Sequence, residues 1–284
     1  MTEVNVASAG RSLVTWLTVL QALSVVGAAA SLALLFVPSG AGLPAGILLG
    51  ITLVQILLAL VYVLVLQLTK GWMTNARMWA TGEGTPDPDV TARQGRTLSG
   101  WLVFGQWLPV VALPIVGGLV WYASSLALDP AVLAQSGVDT SSLPSGMTSE
   151  QIAGVARIGI LVTLVMFGLP SIVINFAILG WIRRWMSGVT DAVAGRSPSE
   201  TRLPELAGTL GRWFTFFQVL LVFFAALLLI VPLLPTQEGV NAGLGDRLNL
   251  LLAFLQLALY TALLQWSKSF MFGVTRRAAG QASR

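Results

Sequence analysis

No histidine and no cysteine occur in the chain, and Asp, Glu, Lys and Arg together supply only 10% of its 284 residues. Without the first two, the chain lacks the ordinary protein ligands for haem, iron–sulfur clusters, zinc and copper, and it has neither disulfides nor a Cys or His catalytic group. Phosphate loops of the G-x-x-x-x-G-K-[ST] type, G-x-G-x-x-G turns and G-x-S-x-G elbows are missing as well. The one close acid pair, Asp87-Pro88-Asp89, has the spacing of a D-x-D metal motif but reads better as a proline-stiffened turn. These absences predict a non-enzymatic protein with no cofactor and no bound metal.

Scarcity of charge excludes more. A soluble domain carries about 25% charged residues, whereas this chain is 55% hydrophobic with a mean hydropathy of +0.81. Residues 12–69, 97–128, 158–182, 213–237 and 248–267 contain no Asp, Glu, Lys or Arg at all. A spanning helix needs roughly 20 apolar residues, so each of the last four runs holds one span. The first is long enough for two and is interrupted by the turn-forming "PSGAGLPAG" at 38–46. Six helices are therefore predicted, at about 12–37, 46–69, 98–125, 152–182, 210–234 and 247–270. None has an ionisable group deep in its span, which argues against ion-coupled transport, proton pumping and voltage sensing.

Fourteen of the 16 Lys and Arg fall on the side of both termini, and only Arg157 and Arg247 on the other. By the positive-inside rule this predicts a multi-pass protein of a bacterial cytoplasmic (inner) membrane with both termini cytoplasmic. The net charge of +4 then reports topology and affinity for an anionic leaflet, with no nucleic-acid partner implied. The first 31 residues have the flavour of a signal peptide with small residues near Ala28 to Ala30. Their apolar run continues to Val37, and Trp16 and Gln21 belong to a pattern repeated in two internal helices, so the first helix is expected to be retained.

That pattern is [ST]-L-x-x-W-[LF]-x-x-x-Q, found as "SLVTWLTVLQ" (12–21), "TLSGWLVFGQ" (97–106) and "TLGRWFTFFQ" (209–218). A second one follows each even-numbered helix: "WMTNARMWATG" (72–82), "WMSGVTDAVAG" (185–195) and "FMFGVTRRAAG" (270–280), an aromatic-Met pair with Gly ten residues beyond the aromatic. The expected fold is an all-α integral membrane protein: one membrane domain over residues 1–284, built as three tandem two-helix repeats at 10–82, 95–195 and 207–280. Two helices per unit keep every copy in the same orientation, so a pseudo-threefold bundle is expected. Threefold repetition of a two-helix unit is similar in plan to the mitochondrial solute carriers. Their P-x-[DE]-x-x-[KR] signature is missing at Pro38, Pro114 and Pro232, and nothing about function is carried over.

Trp16, Trp101 and Trp213, with Trp72 and Trp185 at the exits, sit where indoles anchor at a membrane interface. Gln21, Gln106 and Gln218 lie five residues deeper than the first three, about 7.5 Å along the axis. They are expected either to bond neighbouring helices or to converge as a polar ring, and the bonding role is the commoner for such residues. Asn175 lies mid-span with no counterpart in the other copies. Gly46/Gly50 and Gly27/Ser31 have small-xxx-small spacing for close helix approach, and Pro109, Pro114 and Pro170 are kink or end positions. An insertion at 126–156 on the outer side carries Asp129, Asp139 and Glu150, with Thr148 and Gln151 as a capping box.

The segment "KGWMTNARMWATG" places Trp72, Ala76 and Trp79 on one helix face, which suits either a helix lying on the lipid surface or a docking face. Two functions are compatible with all of this. The first is a structural, assembly or regulatory subunit that meets a protein partner through its cytoplasmic exits or outer loop. The alternative is a passive channel or carrier for a small neutral or lipophilic solute.

Overall fold

A computed structural model of the protein describes residues 3–34, 45–127, 164–196, 202–230 and 244–282, with short pieces at 154–155, 158–159 and 161–162. Most of the expected turn at 38–46, most of the outer insertion with its capping box, Arg157 and Pro232 lie outside the described residues. Among the described residues six long α-helices follow one another: α1 (Glu3–Leu34), α2 (Ala45–Thr81), α3 (Pro88–Ala127), α4 (Leu169–Val193), α5 (Leu203–Ile230) and α6 (Leu244–Ala282). Four described stretches, Val6–Ala29, Thr52–Thr81, Pro88–Ile115 and Leu203–Leu227, are long and apolar enough to cross a membrane. By length and composition they define a multi-pass membrane protein.

Local chemistry explains where the helices stop. Asp87 caps α3: its Oδ1 accepts the amides of Asp89 (2.9 Å) and Val90 (3.1 Å), with Pro88 in the first turn, where a missing N–H costs nothing. The Asp-Pro-Asp pair is thus a helix start, and no cluster of three metal-binding side chains occurs among the described residues. At the end of α4, Gly195 adopts φ +68° while its N–H bonds to the Ala192 carbonyl (3.1 Å) and that of Arg196 to Asp191 (2.9 Å). This is a Schellman closure, which needs a residue free to turn left-handed. Gly82 (φ +71°) ends α2 in the same conformation. Before α4, Leu164–Gly168 forms one π-helical turn. Pro170 offers no N–H and its ring clashes with the carbonyl four residues back, so a widened turn accommodates it.

Every helix outruns the membrane. At 1.5 Å per residue, α2, with 37 residues, is about 55 Å long against a hydrocarbon core of about 30 Å. The segment "KGWMTNARMWATG" continues α2 without a break to Thr81, and on its apolar face Trp72 and Ala76 are buried (3% and 0% exposed).

The chain divides into two compact units. One is Met1–Ser99 with Ile182–Arg284, and the other is Gly100–Trp181. In the first, α1 runs beside α2, α5 beside α6, and α1 also touches α6. Most of its buried residues lie toward one end of the helices, here called the head: Val6, Ala9 and Leu13; Trp72, Ala76 and Ala80; Ala92 and Leu98; Trp185, Met186 and Val189; Leu203, Ala207 and Leu210; Phe270, Met271, Val274 and Ala278. The apolar residues further along, such as Val26, Leu58 and Phe223, are exposed, as side chains facing lipid must be.

Candidate functional site

Two layers of polar bonds stand out, one in the spans and one in the head. In the span layer each motif glutamine turns its amide to the partner helix of its hairpin. The Gln21 Nε2 donates to the Val63 carbonyl (3.2 Å) and to the Gln67 Oε1 (3.1 Å). In the same way, the Gln218 Nε2 donates to the Thr261 carbonyl (3.2 Å) and to the Gln265 Oε1 (3.2 Å).

Within the unit Gly100–Trp181 the Gln106 Nε2 donates to the Phe176 carbonyl (2.9 Å), and Asn175 Nδ2 returns a bond to the Gly105 carbonyl (3.1 Å). Here a reciprocal pair of side-chain-to-backbone bonds takes the place of the glutamine–glutamine bonds made by Gln21 and Gln218. The position four residues after the Phe176 acceptor is Gly180, and a Cβ there would meet the Gln106 Nε2 at 3.1 Å, so a larger residue would crowd that amide. A carbonyl inside a helix keeps one lone pair after its intrahelical bond. An amide donated to it in a low-dielectric setting ties two helices without freeing any backbone group.

The head layer is built on tryptophan. The Trp72 indole N–H donates to the Thr190 Oγ1 (2.9 Å), and the Trp185 indole N–H donates to the Thr275 Oγ1 (2.9 Å). The two rings meet edge-on with centroids 5.8 Å apart. All four residues are buried, so each bond satisfies a donor that would otherwise be costly to enclose. The structure places Trp72 and Trp185 inside the head rather than at its surface. Small residues let the helices approach there: a Cβ on Gly95 would come within 2.5 Å of the Thr190 Oγ1, and one on Gly273 would collide with Val6.

The aliphatic stem of Arg77 packs beside Gly10, its guanidinium reaches Glu83 only at 4.0 Å, and its Nε is buried without a hydrogen bond.

Trp16, Trp101 and Trp213 are partly exposed. Trp16 stacks on Trp266 (6.4 Å), Trp101 meets Phe104 edge-on (5.8 Å), and Trp213 contacts Phe216 and Phe217. Thr190 and Thr275, the indole acceptors, were visible in the sequence only as the shared "GVT" of two exits. No protein-family model, curated protein or solved structure matches the chain.

Proposed function

We propose that the protein is a non-enzymatic structural or assembly subunit of a cytoplasmic membrane: six spans forming three helical hairpins, closed into a pseudo-threefold ring at their cytoplasmic ends, with the rim of that ring docking a partner protein. The observation that carries this reading is the direction of the two indole bonds. Trp72 of the first hairpin reaches Thr190 of the second, and Trp185 of the second reaches Thr275 of the third. Positions 72, 185 and 270 correspond in the repeated sequence, as do 77, 190 and 275. The missing third bond therefore falls on Phe270 and Arg77, where donor and acceptor have both been replaced. Val6 against Gly273, and Trp16 on Trp266, bring the first and third hairpins together at that same edge. The glutamine acceptors agree with the repeat too: Val63, Phe176 and Thr261 each lie nine residues before the exit aromatic.

Function at the rim follows from how the residues are allocated. The glutamines bond within hairpins, which leaves them poor lining for a selective route and favours the scaffold over the conduit. The Trp72 and Ala76 face is covered by the head itself, so a partner has to use the outside. Arg11, Arg93, Arg96, Arg276 and Arg277 are exposed there among fewer acids (Glu83, Asp87, Asp89 and Glu205), a balance suited to an acidic protein face. The test is a photo-crosslinking side chain placed at Arg93 or Arg277 in native membranes, with Leu58 as a lipid-facing control. A discrete protein adduct from the head positions alone is expected. Lipid adducts from all three would overturn the proposal.

A further inference from the structure

We infer that α5 carries a binding site for one anionic phospholipid. A groove of about 400 Å³ opens on this helix, lined by Thr209, Arg212, Trp213 and Phe216. In the three copies of the opening motif the residue before the tryptophan is Thr15, Gly100 and Arg212, so only the third places a cation at this turn. Arg212 is exposed, and no acid is among the described residues that line the groove. The nearest acid on its helix, Glu205, is about 10 Å away along the axis.

Below Arg212, in the direction of the span, Phe216, Val219 and Phe223 follow at steps of four, three and four residues and are all more than half exposed. At 100° per residue they lie within about 40° of the Arg212 direction. The result is a track about 16 Å long with a guanidinium at one end, a hydroxyl and an indole beside it, and an unbroken apolar ridge leading into the bilayer. A phosphodiester with an acyl chain has that order of parts. A guanidinium can grip two phosphate oxygens in parallel, Thr209 adds a neutral donor, and the chain lies along the ridge. A soluble anion would use only the upper end of this surface. This inference rests on α5 crossing a membrane and is independent of the proposed protein partner.

The test is native mass spectrometry of the full chain released from nanodiscs of equal parts phosphatidylglycerol and phosphatidylcholine. The wild type is expected to retain one phosphatidylglycerol in preference to phosphatidylcholine. Arg212→Gln should weaken that retention about tenfold, whereas Arg184→Gln, an exposed arginine outside the groove, should leave it unchanged. Quenching by brominated phosphatidylglycerol should fall in Trp213→Phe by more than in Trp101→Phe, a readout that survives if the arginine variant folds poorly. Equal retention of the two lipids, the same loss from Arg184→Gln, or displacement of the lipid by inorganic phosphate would each overturn the assignment.

Discussion

Leu210 and Val219 stand on the same helix, yet the first is fully buried and the second 64% exposed. The contrast holds for the whole of the first unit. In the head, helix ends bury alanine, valine and tryptophan against one another. In the spans, leucine and phenylalanine face outward, and among the described residues glutamine amides carry most of the polar bonds between helices. On the topology proposed above the head lies outside the bilayer, where apolar surface is costly to hydrate and water drives the first arrangement. Within lipid that force vanishes, since tails are as apolar as leucine, and close contact plus polar bonds must serve instead. One helix therefore obeys two sets of packing rules along its length.

The largest effect that separates the two regions is expected from truncating apolar residues. Leu210→Ala should destabilise the protein by about 3 kcal/mol, as a buried core truncation does, and Leu58→Ala by less than about 0.5 kcal/mol. A steric-trap or denaturant titration in bicelles measures both, and equal losses would erase the distinction between head and span. Next come the indole bonds. Trp72→Phe or Trp185→Phe should cost about 1–2 kcal/mol by leaving Thr190 or Thr275 without its donor.

The double change Phe270→Trp with Arg77→Thr sharpens the same comparison, since it writes the missing third bond into the head. A coupling of about 1 kcal/mol in a double-mutant cycle is expected, and a coupling near zero would count against a closed ring. Smaller again, Gln21→Leu and Gln218→Leu should each cost about 0.6 kcal/mol, the size found for polar bonds between membrane helices. Least of all, Glu83→Gln should change stability by less than about 0.5 kcal/mol, because its 4.0 Å pairing with Arg77 is partly exposed.

How much of this was legible beforehand depended on whether the feature leaves a mark in the chain. Charge-free runs of spanning length made the helices legible, and the recurring tryptophan, glutamine and glycine marked the positions that the proposed repeat pairs. Gly82 was visible as a recurring glycine, and the structure makes it a stop for α2. What composition hid was that α2 passes through Lys70 and Gly71 without a break, because a change from apolar to mixed residues need not mark a helix end. Depth along a helix could be counted, so Trp72 and Trp185 were readable as lying near the interface. Their neighbours could not, and burial inside the head depends on neighbours. The glutamines were conspicuous, but their acceptors are backbone carbonyls at Val63, Phe176 and Thr261, which no side chain announces. Arg212 counted in the sequence only toward topology; its place at the top of an exposed apolar ridge needed three dimensions.

The contact between Val6 and Gly273 joins opposite ends of the chain, and it bears on how the protein is made. Synthesis delivers α1 to the membrane long before α6 exists, so the segment that will close the head waits as an exposed apolar helix end. During that interval the amide bonds inside each hairpin, which involve only neighbouring helices, are the ones available to hold early products together. The order of synthesis thus matches the division of labour: contacts inside a hairpin can form as soon as its two helices exist, while the contact between α1 and α6 has to wait for α6.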